Sequence, residues 1–92
     1  MSTDDSQNPL NQIEANLSTL ALSIASSAAM ALGMSPHPES GKTRVDLSMA
    51  RFNIDLLVVL KDKTVGNLSA DEQELLTRLV SDLQVHYVSK KQ

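Results

Sequence analysis

The chain has no cysteine and no tryptophan, one phenylalanine and one tyrosine, and no Asp, Glu, Lys or Arg between Glu14 and Glu39. Each absence removes an option. Without thiols, neither a disulfide framework nor a thiolate metal site can stabilise a small domain. Phe52 and Tyr87 are too few to furnish a sheet, whereas a core of Leu, Ile, Val, Met and Ala suits packed helices. Glycine and proline are also scarce, three of each, so the places where they fall mark helix ends. The uncharged run must be covered by the rest of the domain, by a second copy or by lipid.

Length sharpens that choice. A chain of 92 residues buries only about 60 to 65% of its unfolded surface and is marginal as a lone domain. One domain is expected, with oligomerisation as the supplement to its core. The formal net charge is −3, and the basic residues Lys42, Arg44, Arg51, Lys61, Lys63, Arg78, Lys90 and Lys91 are scattered. That pattern argues against a phosphate-tracking surface, so nucleic acid is not an expected partner. Met1 to Leu10 holds Asp4 and Asp5 and no basic residue. It lacks the n-region of a secretory signal, and a cytoplasmic location is expected.

Residues 1–8 are almost wholly polar and are expected to be a disordered tail. Residues 9–90 are expected to form a single helical domain with helices over about 9–32, 47–64 and 70–88. In the first, Pro9 suits an opening turn, and Leu10, Ile13, Leu17, Leu20, Ile24 and Ala31 recur at steps of three and four. Gly33 is placed to take a left-handed cap, and Pro36 and Pro38 cannot continue the helix. A loop over 34–45 follows. Asp46 stands at an N-cap position, and the second helix carries two apolar stripes, Leu47, Ala50, Ile54, Leu57 and Met49, Phe52, Leu56, Val59, Leu60. Only Ser48, Arg51, Asp55 and Asp62 interrupt them, so this helix is expected to be central and covered on most sides. Gly66 supplies a turn, and Ser69 with Glu72 spells a capping box for the third helix. Helices two and three should form an antiparallel hairpin on which the long first helix packs.

No segment carries a complete catalytic or ligand-binding motif. Gly41, Lys42 and Thr43 match the end of a phosphate-binding loop, but Pro36 occupies the position of its first glycine and the segment follows a helix, not a strand. His37 and His86 are two scattered imidazoles, short of the three or four ligands that zinc needs. Asp82 and His86, one helical turn apart, are expected to pair with each other. Ser23, Ser26 and Ser27 lie inside a helix, where hydroxyls bond back to the preceding turn instead of serving as nucleophiles. No catalytic residue, metal or cofactor is implied, and the chain reads as noncatalytic.

The first helix carries a further stripe, Asn16, Thr19, Ser23 and Ser26, continued by Met30, where a soluble helix normally collects Glu and Lys. Small residues let backbones approach closely. The expected interface therefore comprises Leu20, Ser23, Ala25, Ser26 and Ala29, which admit a helix of a second copy, with Arg51 and Asp55 setting its register. An uncharged run of about 20 residues is nominally long enough to span lipid. However, six residues between Ala15 and Met34 are Asn, Ser or Thr and no aromatic marks an interface, so the membrane is a secondary alternative. A small ligand held by the loop 34–45 is another.

Several segments together resemble a known family. They are Leu20-Ala21-Leu22-Ser23 through Leu32-Gly33, Pro38-Glu39-Ser40-Gly41-Lys42, Ala50-Arg51 with Ile54-Asp55-Leu56-Leu57, and Lys63-Thr64-Val65-Gly66-Asn67-Leu68. The chain after its tail is similar to the bacterial family of small proteins called domain of unknown function 1844. His37 departs from the acidic residue expected before Pro38. The resemblance implies a bacterial helical protein and supplies no activity or site residues. The expectation is an all-α homo-oligomer whose partner is itself, acting as an interaction or scaffold module.

Overall fold

The computed structural model describes residues 15–34, 41 and 44–92. The expected tail, the opening turns of the first helix over 9–14, and most of the loop 34–45, His37 included, lie outside the described residues. Three helices are present: α1 (Leu17–Ala31), α2 (Leu47–Lys63) and α3 (Ala70–Lys91). Among the described residues there is no strand, only an isolated antiparallel bridge between Leu32 and Val45. The chain is all-α, as its composition predicts.

Local chemistry fixes each helix end. Asn16 is the N-cap of α1, its Oδ1 accepting from the Thr19 amide at 2.9 Å, so the described helix opens at Leu17, whereas the apolar spacing predicts a helix from about residue 9. At the other end Gly33 takes φ 76°. Its N–H donates to the Met30 carbonyl at 3.0 Å, and that of Met34 to the Ala29 carbonyl at 2.9 Å. These two bonds make a Schellman cap, which satisfies carbonyls the helix itself leaves open. Asp46 caps α2 through the Met49 amide at 3.0 Å. The Ser69–Glu72 box opens α3 as expected, with bonds of 3.1 and 2.8 Å.

One core joins all three helices. It comprises Ala21, Ala25, Ala28, Ala31 and Leu32 from α1 and its cap, Ala50, Ile54 and Leu57 from α2, and Leu76, Val80 and Leu83 from α3. Five of these eleven residues are alanine. Small side chains let α1 and α2 approach closely, and that contact is the most extensive in the fold. They also bury little apolar area, so the gain from the core is modest. Leu17, Ile24, Val58, Leu79 and Tyr87 extend it as partly buried neighbours.

Two sequence expectations are corrected here. Part of the second stripe of α2 is left uncovered by the described residues: Met49 is 50%, Phe52 56% and Val59 53% exposed, whereas Leu60 packs against the core. Three helices offer α2 only two neighbours, and both sit on its other side. The Asp82–His86 pair is also not formed. Among the described residues the ion pairs are Arg51–Asp55 and Arg78–Glu74, and water competes effectively for two exposed groups on α3.

Candidate functional site

The side of α1 turned away from the core carries no charge, since the helix contains no Asp, Glu, Lys or Arg. Leu20 and Leu22 are each 49% exposed, and Ser23 and Ser26 are exposed beside them. Ser27 Oγ donates to the Ser23 carbonyl at 3.3 Å, which is the back-bonding expected of a hydroxyl within a helix. Leu20, Ser23, Ser27 and Met30 follow one another at steps of three, four and three. On α2, Met49, Phe52, Leu56 and Val59 do the same. That spacing places each set along one side of its helix, and it is the repeat by which helices interdigitate with other helices.

The two stripes meet in a groove. Ser27, Met30 and Ala31 form one wall and Met49, Phe52 and Asn53 the other, enclosing about 500 Å³, with Arg44 and Asp46 at one end. Asn53 is only 8% exposed, and its Nδ2 donates to the Met49 carbonyl at 3.0 Å. Among the described residues no buried side-chain nitrogen or oxygen lacks a hydrogen-bond partner. The exposed side chains of the groove are the apolar Met49 and Phe52, with the charged Arg44 and Asp46 at one end.

The residues singled out from sequence are distributed over this geometry. Leu20, Ser23 and Ser26 are on the open side of α1. Ala25 is 7% exposed and belongs to the chain's own core, where it meets the other helices, and Ala29 is half-buried. Arg51 and Asp55 pair on α2 with Nε to Oδ2 at 3.8 Å, their side chains 72% and 66% exposed. They border the apolar stripe of α2 and are not part of it. Met49, Phe52 and Val59 lie outside the interface expected from sequence, because apolar spacing alone predicts that their stripe is covered. The duplicate stripe on α2 was the available signal, since a helix with two neighbours cannot bury apolar residues on every side.

Among the described residues no group of three or more His, Asp or Glu is placed to hold a metal ion. No helix among them is long and apolar enough to cross a membrane. At 15 residues α1 is about 22 Å long, short of the ~30 Å hydrocarbon core.

A family model described as "Domain of unknown function (DUF1844)" matches residues 14–89. No curated protein and no solved structure matches the chain.

Proposed function

The chain belongs to the domain of unknown function 1844 family, whose model covers residues 14–89, and on that premise we propose that it is a noncatalytic helical interaction or scaffold module that self-associates through the open side of α1. In this reading α1 lies on an antiparallel hairpin of α2 and α3, and Arg51 and Asp55 sit on the rim, where they help set the register of the assembly. The observation that carries the proposal is the charge-free open side of α1, with Leu20 and Ser23 exposed, beside the half-exposed Met49, Phe52 and Val59 of α2. A water-facing helix pair would scatter charges across such a surface. An alanine-rich core that buries little apolar area adds a reason for the fold to take further cover from a second copy.

The test is sedimentation of the full chain over a concentration series. Ser23 is exposed, so Ser23→Lys leaves the fold intact and introduces a charge that the contact must desolvate. Dissociation of the assembly with unchanged helicity supports the reading. An assembly unaffected by both Ser23→Lys and Ser26→Lys removes α1 as the contact.

A further inference from the structure

Resting on the self-association reading above, we infer that the groove between α1 and α2 is the receiving site for Phe52 of a second copy, in a two-fold contact that lays α1 of each copy on α2 of the other. Three observations specify this occupant.

The first is complementarity within one surface. A two-fold contact uses the same patch on both copies, so every protrusion must find its recess in that patch. Here the α1 stripe is small in its middle, Ser23 and Ser27, and the α2 stripe is large in its middle, Phe52 and Leu56. Phe52, 56% exposed, stands on the wall of the groove whose opposite wall is Ser27. Crossing α1 of one copy with α2 of the other sets large against small at both positions, and both stripes share the step of three, four and three that such interdigitation requires.

The second is the chemistry of the recess. Its buried polar atoms have their partners, so an aromatic ring can displace water there without stranding a donor or acceptor. A polar small molecule would gain little beyond what Arg44 and Asp46 offer at one end. Asp46 already accepts from the Met49 amide.

The third is extent. Leu20, Met49, Phe52 and Val59 are each about half exposed. A two-fold contact that covered them and their flanking residues would need to bury about 1,200 Å² in all, the lower bound for a specific interface. At that size a central aromatic anchor must carry much of the affinity.

The experiment compares wild type, Phe52→Lys and Phe52→Leu by sedimentation equilibrium, with circular dichroism reporting helicity. Wild type is expected to be dimeric, Phe52→Lys to dimerise at least about 30-fold more weakly at equal helicity, and Phe52→Leu to lie between them. A photoreactive benzoylphenylalanine at position 52, in a mixture of isotopically labelled and unlabelled chains, should cross-link to the Ser27–Ala31 peptide of the other copy. A wild-type monomer at all concentrations overturns both this inference and the self-association reading. A dimer that loses nothing with Phe52→Lys, yet dissociates with Ser23→Lys, overturns the groove assignment alone. Cross-links confined to one chain, or a small molecule retained by a monomer in the native mass spectrum and lost with Phe52→Lys, also overturn it.

Discussion

The backbone N–H of Asp46 donates to the carbonyl of Ala31 at 2.7 Å, so the residue that opens α2 also ties down the last turn of α1. The same residue's carboxylate accepts from the Met49 amide at 3.0 Å. The two roles separate on mutation. Asp46→Ala keeps the backbone tie and loses only the cap, and it should lower unfolding free energy by about 1 kcal/mol. Asp46→Asn, which can still accept that bond, should recover most of the loss. Urea unfolding of the two variants beside wild type measures both. Equal losses would show that charge, and not capping, is what Asp46 contributes.

Gly33 and Gly66 make a matched pair for testing backbone strain against packing. Both have positive φ, 76° and 86°. A Cβ at Gly33 would lie 3.0 Å from Val45 Cγ2, whereas one at Gly66 would meet nothing within 4 Å. Gly66→Ala should therefore cost about 1 kcal/mol, the left-handed penalty alone. Gly33→Ala should cost more, about 2 kcal/mol, because the new methyl also presses on the Leu32–Val45 bridge that joins the two ends of the connection. Reversal of that order in thermal or urea unfolding would mean that Val45, 52% exposed, simply moves aside.

The seam between α1 and α2 depends on side chains being small. Ala21, Ala28 and Ala50 have no exposed surface. Ala28→Leu should destabilise by about 1 to 3 kcal/mol because the helices must part to admit it. Leu57→Ala, at a position likewise fully buried, should cost about 2 to 5 kcal/mol through the cavity it leaves. A chain of this size has only about 5 to 14 kcal/mol of total stability, so either change should be plain in a denaturant midpoint. A stabilising Ala28→Leu would reveal a void at the seam.

Much of this architecture was legible in the residues. Asp46, Gly33, Gly66 and the Ser69–Glu72 box act through local backbone geometry, which sequence states directly, and each takes the role expected of it. The third helix likewise follows from its amphipathic spacing. What sequence could not resolve was which apolar stripe faces inward. Leu20 and Ala21 are adjacent, and hydrophobicity favours burying the leucine. The structure does the opposite, leaving Leu20 49% exposed and Ala21 at 0%. The reason is tertiary: Ala21 faces the core that α1 shares with α2 and α3, a constraint set by segments remote in sequence. The same ambiguity hid the stripe of Met49, Phe52 and Val59, because periodicity finds an apolar side without saying what covers it.

An uncharged contact should also be indifferent to salt. The stripes of α1 and α2 hold no ionisable group. Arg44 and Asp46 stand at one end of the groove, and Arg51 and Asp55, which border the α2 stripe, have side chains 72% and 66% exposed with 3.8 Å between Nε and Oδ2. Such a pair contributes little and is screened. Raising NaCl from about 0.05 to about 0.5 M shortens the Debye length from roughly 14 to roughly 4 Å, which would weaken an assembly held by ion pairs severalfold. The dimer dissociation constant measured by sedimentation should instead change by less than about threefold. Arg51→Ala should leave monomer stability within about 0.5 kcal/mol of wild type. If salt loosens the assembly and Arg51→Ala does the same, the rim pair is carrying the association, and the weight placed on Leu20, Phe52 and their neighbours would pass to those charges.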